Sequence, residues 1–200
     1  MPRAVDHAER RAQLARAVWQ IARDEGVDAL SVRRVGEAAG WSGGAVQYYF
    51  PTKNALLQHA FGLVKERTVS RIHDIARSSP EDKALRAAVM SLLPTDADIA
   101  AESEIWFAFM GLALGEPGLR SMAEEGHRTI AAELRQQITR AQTIGVVHPD
   151  RDPEDVTTEL LAICDGLCVQ QLYRPQDLST ERMIRVLDRR LADLVGPSHE

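Results

Sequence analysis

The side chains best suited to act together are crowded into Leu30–Lys53, LSVRRVGEAAGWSGGAVQYYFPTK. Ser31 and Ser42 supply hydroxyls, Arg33 and Arg34 guanidinium groups, Gln47 an amide, Tyr48 and Tyr49 phenols, and Lys53 an ammonium. Donors and flat apolar rings in one short stretch suit phosphate oxygens and base edges rather than bond cleavage. The hydroxyls and the free N–H groups at helix starts can donate to phosphates. Arg33 and Arg34 can reach a guanine edge or a phosphate; Arg34 also has the spacing to pair with Glu37 along one helix.

Other constellations carry less. His7, His59, His73, His127, His148 and His199 are scattered without metal-ligand spacing. Cys164 and Cys168 stand four apart on one helix face with no closing His or Cys pair, and they read as core residues. Glu102 with Glu104, and Glu124 with Glu125, are pairs that charged helices produce by chance. No catalytic site, cofactor or metal is expected.

The 200-residue chain is 26% charged and 44% hydrophobic, in the range of a globular protein of one domain or two small ones. Its longest apolar run lies within Ile105–Leu114, too short for a bilayer, so no membrane association is expected. The charged start MPRAVDHAERRAQ has no apolar stretch behind it, which predicts no signal peptide. With two cysteines read as reduced, the expected location is cytoplasmic. The net charge of −5 hides an asymmetry: residues 1–53 hold eight basic and six acidic groups, leaving −7 for residues 54–200. A mildly basic head on an acidic body permits a nucleic-acid contact at one end.

Helical periodicity runs through the chain and strand signals are nearly absent, so an all-α fold of nine helices is predicted. The first spans about Asp6–Asp24, with Leu14, Ala17, Val18, Ile21 and Ala22 on one face, and ends at Gly26. Ser31 caps a second to about Ala39, with Val32, Val35 and Ala38 inward, and Gly40 stops it. Ser42 caps a short third from Gly43 to about Phe50, and Thr52 caps a fourth from Lys53 to about Ser78. The rest are Pro80–Leu93, Ala97–Leu114, Leu119–Ile144, Glu154–Tyr173 and Thr180–Val195. Two short helices meeting at a glycine turn, with small Ala38 and Ala39 at the approach, have the layout of a helix-turn-helix.

At this point the sequence resembles the DNA-binding domain of TetR-type transcriptional repressors. The signature is S-V-R-x-V-x-E-A-A-G-W-S-x-G-A-V-x-Y-Y-F-x-x-K over Ser31–Lys53. The resemblance implies that Arg33 reads a base or phosphate and that Gly43, Gly44 and Ala45 let the recognition helix approach DNA closely. It implies that Tyr48 and Tyr49 contact phosphates and thymine methyls, and that Lys53 contacts a phosphate. Gln47 replaces the usual tyrosine and can read adenine instead. Gly43 replaces a basic or polar residue. Trp41 either packs under the recognition helix or touches the sugar-phosphate edge, and Phe50 is core. Nine helices in about two hundred residues match the family's architecture, and Asp165-Gly166-Leu167 resembles the BetI-like C-terminal branch.

The sixth helix, IWFAFMGLAL, is apolar all round and is expected to be buried on every side. Met90, Trp106, Phe109, Met110, Cys164 and Cys168 are candidates to line a pocket for an apolar or cationic small-molecule effector, or else to be solid core. The last two long helices are expected to form a homodimer, with Gly166 permitting close approach. The reading is therefore a DNA-binding domain at residues 1–52 and an effector and dimerisation domain at residues 53–200. The dimer binds an inverted-repeat operator on double-stranded DNA and is released by its effector. Alternatives are a small helical carrier or enzyme with an apolar pocket, and a TetR-type activator without a ligand.

Overall fold

Caps and glycines set where the helices begin and end. The computed structural model describes residues 3–194, and only the backbone of residues 3–9, 11 and 12. Val195, His199 and the side chain of His7, named above, lie outside the described residues. Among the described residues are nine helices: α1 Arg3–Glu25, α2 Val32–Ala39, α3 Gly43–Tyr49, α4 Lys53–Ser78, α5 Glu81–Met90, α6 Ala97–Gly115, α7 Pro117–Thr143, α8 Pro153–Tyr173 and α9 Thr180–Ala192. A 3-10 turn, Val27–Ala29, follows α1. None of the described helices is long and apolar enough to cross a membrane. The chain divides into two units, residues 1–64 with 100–120 and residues 65–99 with 121–200.

In the first unit the stripe expected on α1 is buried: Leu14, Ala17, Val18, Ile21 and Ala22. Leu30, Val35, Val46, Phe50, Leu56 and Phe61 complete the same core together with Ile105 and Phe109 of α6. Ser31 and Ser42 cap as expected, their hydroxyl oxygens accepting from the N–H groups of Arg34 at 3.1 Å and Ala45 at 3.3 Å. Gly40 takes φ 71°, so the Trp41 N–H can donate to the Gly36 carbonyl at 2.8 Å and the Gly40 N–H to Glu37 at 3.3 Å. That pair of bonds closes α2 and turns the chain into α3.

The close approach between α2 and α3 falls at Gly36, whereas Ala38, expected inward, is exposed. A Cβ at Gly36 would stand 3.0 Å from the Trp41 carbonyl oxygen and 3.4 Å from the Val46 side chain. Gly36→Val is therefore expected to push α3 off α2 at a cost of about 1–3 kcal/mol. A thermal melt would show it, and an unchanged midpoint would remove Gly36 from the packing.

α6 departs from its expected all-round burial. Ala101, Ile105, Phe109 and Ala113, four apart, form its buried stripe, while Leu114 is 76% exposed. Uniform hydrophobicity conceals this because the helix runs past the core it crosses. Two ties join α6 and the residue that follows it to neighbouring elements of the same unit. The Val27 N–H donates to Glu104 Oε2 at 3.4 Å, and Asn54 Nδ2 donates to Glu116 Oε1 at 3.1 Å.

In the second unit, Leu85, Ala88 and Val89 of α5 are buried with Leu134 and Ile138 of α7, Leu160 and Cys164 of α8, and Met183 and Leu187 of α9. α5 stops at Met90, earlier than Leu93, because Pro94 forces the residue before it out of helical geometry. Residues 91–93 unwind through short-range bonds, Leu92 N–H to Val89 and Leu93 N–H to Met90, both 3.1 Å. Asp152 caps α8 with Pro153 in its first turn, and Arg86 joins α5 to Asp188 of α9 at 2.6 Å.

Candidate nucleic-acid interface

α3 buries Val46, with Phe50 packed at its end, and presents Gly44, Gln47 and Tyr48 outward at helical spacing. Tyr48 is 78% exposed, so its ring and hydroxyl are both open to a partner. Gly43 and Gly44 are exposed with open space where a Cβ would stand, so a sugar-phosphate backbone can come close. The capping oxygens of Ser31 and Ser42 are acceptors, which leaves each hydroxyl hydrogen able to donate to a phosphate.

The three aromatic candidates form a chain of edge contacts. Tyr48 meets Tyr49 at 5.3 Å between ring centroids, and Tyr49 meets Trp41 at 5.9 Å. Trp41 is half-buried beneath the Arg10 guanidinium, 5.8 Å from its ring centroid. Trp41 and the half-buried Tyr49 thus act as a rigid backing, and Tyr48 is the ring turned to solvent.

The cations differ in how firmly they are held. Arg33, 89% exposed, makes only a surface pair with Glu37 at 3.3 Å, an arrangement of little stability that a phosphate can displace. Arg34 Nε donates to Glu25 Oε2 at 2.9 Å, a second N–H reaches the other oxygen, and Glu37 lies 3.6 Å away. The bond from Arg34 holds the Glu25 carboxyl below the usual carboxylate range, and the same bond raises the guanidinium. Arg34 therefore staples the end of α1 to α2. Lys53 Nζ donates to the Asp28 carbonyl at 3.2 Å, which fixes the ammonium at the surface with further N–H groups to offer.

Glu25, Gly36 and Glu104 also hold this face in place, and helical periodicity does not point to them. A glycine inside an eight-residue helix is the available signal for Gly36. The two glutamates bond residues of other elements, where helical spacing is blind.

The six effector candidates fall three to a unit. Phe61 of α4 stacks on Trp106 at 4.7 Å and on Phe109 at 4.2 Å, and Met110 beside them is half-buried. In the second unit Cys164 Sγ lies 4.0 Å from the Val89 carbonyl, Cys168 Sγ lies 3.4 Å from the Leu92 carbonyl, and Met90 is half-buried. Burial pushes the Cys164 thiol up, so it is a poor nucleophile.

Next to it, burial raises the pKa of Asp165, and His127 opposes the shift in part. A carboxyl with a raised folded-state pKa stabilises the fold while protonated, and that contribution is lost as pH rises through the folded value. Asp165→Asn should therefore raise the melting temperature at about pH 7 and lose that advantage at about pH 3.5. Equal shifts at both pH values would exclude this source.

Two family models match the chain. Residues 14–60 match the bacterial regulatory proteins of the tetR family, and residues 81–196 match the BetI-type transcriptional repressor C-terminal region. The chain is similar to the HTH-type transcriptional regulator PksA of Bacillus subtilis, 31% identical over 94% of this chain and 90% of the relative. Among solved structures, a transcriptional regulator from Rhodococcus sp. Rha1 is 29% identical with a TM-score of 0.76, covering 92% of this chain and 95% of that one. A regulator from Saccharomonospora viridis, solved in complex with choline, shares the fold at 21% identity and a TM-score of 0.78, covering 92% and 96%.

Proposed function

Because the chain belongs to the TetR family of helix-turn-helix transcriptional regulators, with a BetI-type C-terminal region, we propose that it represses transcription as an effector-responsive homodimer on an inverted-repeat operator. The observation that carries this is the outward edge of α3, where Gln47 and exposed Tyr48 stand on a helix fixed by the Ser42 cap and the Gly40 turn. Gln47 reads base edges, with adenine N6 and N7 as its natural match. Tyr48 contacts a phosphate or a thymine methyl. Ser31, Arg33, Ser42 and Lys53 position the head on the backbone. Trp41, Tyr49 and Arg34 hold the reading face and touch the sugar-phosphate edge.

Residues 1–52 read DNA, and residues 53–200 bind effector and dimerise. For the dimer, α8 and α9 of each copy supply four packed helices. Tyr173 and Val186 are exposed, and nothing lies within 4 Å of where a Gly166 Cβ would be, which leaves room for a partner helix. Such a dimer presents two copies of α3 about 34–36 Å apart, one DNA turn.

The effector is a small apolar or cationic molecule, taken by the aromatic and sulfur side chains of Trp106, Phe109 and Met110 in the first unit, with Met90, Cys164 and Cys168 a separate candidate lining in the second. A regulator of the same fold binds choline, which supports the cationic choice, and the face of Trp106 suits a quaternary ammonium. Effector and operator favour different head spacings, so each weakens the other by the same factor; a 100-fold effect corresponds to about 2.7 kcal/mol. α6 supports such coupling because residues 100–120 share a unit with the head and reach it through Glu104, which accepts from the Val27 N–H.

The test is selection of bound duplexes from a random pool by purified protein at near-physiological salt. Enrichment of an inverted repeat, with affinity falling steeply as salt rises, is expected. A folded dimer that enriches no sequence would sink the reading in favour of a carrier.

A further inference from the structure

We propose that the second unit carries a separate small-molecule site where α4 ends, α5 begins and α7 ends, and that it takes a small aliphatic zwitterion, an α-amino acid of about leucine's size. A pocket of about 230 Å³ opens there, with Ala84, Leu85 and Ala141 as its apolar lining.

Gln137 of α7 also lines the pocket. It is only 4% exposed, and its side-chain amide makes no hydrogen bond among the described residues. Its amide atoms are not among the enclosed polar atoms that lack a partner, so the little surface the residue keeps is open to water at the pocket and free to bond a ligand there. It offers both a donor and an acceptor.

Charge defines the ligand further. Arg140, one turn beyond Gln137, and Glu81, in the first turn of α5, both line the pocket and are exposed, and neither has an ion-pair partner among the described residues. A cation and an anion at one small opening match a molecule that carries both charges. A ligand of one sign would leave the like-charged side chain beside it. The carboxylate goes to Arg140, the ammonium to Glu81, and the aliphatic side chain to the methyl groups of Ala84, Leu85 and Ala141.

Size agrees with this class. The space is below the roughly 300–1,000 Å³ of drug-sized pockets. It equals about eight waters at roughly 30 Å³ each, room for a single small metabolite. None of the six effector candidates lines it, so the site goes beyond the regulatory reading and does not depend on operator binding.

The test is calorimetric titration of the full chain, free of DNA, with L-leucine, 4-methylpentanoate and isopentylamine. Saturable binding of one leucine per chain is expected, with each single-charge analogue about tenfold weaker or more. Gln137→Leu and Arg140→Gln should each weaken leucine binding by about tenfold. Arg140 is exposed, so its variant folds even if the Gln137 variant does not. The proposal is overturned by an absence of saturable leucine binding, by an analogue that binds as well as leucine, or by unchanged affinity in Arg140→Gln.

Discussion

Tyr48→Ala is expected to weaken operator binding by about 30-fold to 10⁴-fold while barely moving the melting temperature. A good contact to a base or phosphate contributes about 1–3 kcal/mol, and a two-fold dimer makes each contact twice. The loss is then about 2–6 kcal/mol, at 1.4 kcal/mol for each factor of ten. Stability is spared because the ring is 78% exposed and its described ring contact is with the edge of Tyr49. Surface substitutions of this kind usually stay within about 0.5 kcal/mol. Tyr48→Phe separates the two roles of the side chain, since it keeps the ring for a thymine methyl and removes the hydroxyl from a phosphate. Operator affinity within twofold of the parent in Tyr48→Ala, measured by fluorescence anisotropy, would remove this residue from the interface.

The neighbouring cations should separate by how they are held. Arg33, with a surface pair that contributes little, is free to be recruited, and its loss should relax preference at particular bases or reduce backbone affinity without unfolding. Lys53→Ala should weaken all sequences about equally and lower the salt dependence by about one counterion per site. Arg34 is different because it already bridges α1 and α2 through Glu25. Its removal should act through the stance of the head, so a stability change should accompany any loss of affinity.

What is legible in the sequence is what is local in the chain. The caps at Ser31 and Ser42 and the stop at Gly40 are set by side chains within three residues of the bonds they make, so residue order alone places the helix-turn-helix. The stripe on α1 is equally plain because one face is apolar and the other charged. Gly36 escapes notice because its constraint is the Trp41 carbonyl across the turn, and period counting hands the inward position to Ala38 instead. Helical spacing pairs Arg34 with Glu37, yet its closer partner, Glu25, lies nine positions back on another helix. Residues 105–114 of α6 offer no orientation: with every residue of that stretch apolar there is no polar face to subtract, and the exposed Leu114 is invisible. The buried Gln137 is also silent, since an amide among charged neighbours on a long amphipathic helix looks like a surface residue.

The uniform α6 nevertheless acquires an orientation through one ring on α4, and this leads to the largest expected change in stability. Phe61 is 1% exposed and stacks on Trp106 at an interplanar angle of 24° and on Phe109 at 25°. Phe61→Ala removes the shared member of both stacks and leaves a cavity whose walls are other flat, rigid rings, which collapse poorly. The cost should be about 3–5 kcal/mol. For a chain of this size that is a fall in melting temperature of about 6–20 °C. Phe61→Leu fills most of the volume, so it should lose much less. Amide exchange should accelerate in residues 53–64 and 100–115 in the alanine variant, and Trp106 emission should shift to the red as its stacked face meets water. If both variants melt alike, or the emission does not move, the stack is not what holds α6 to α4. If the alanine variant behaves as expected, the same stack is the element an effector at the Trp106 face would have to disturb. Effector binding and Phe61→Ala should then displace operator affinity in the same direction.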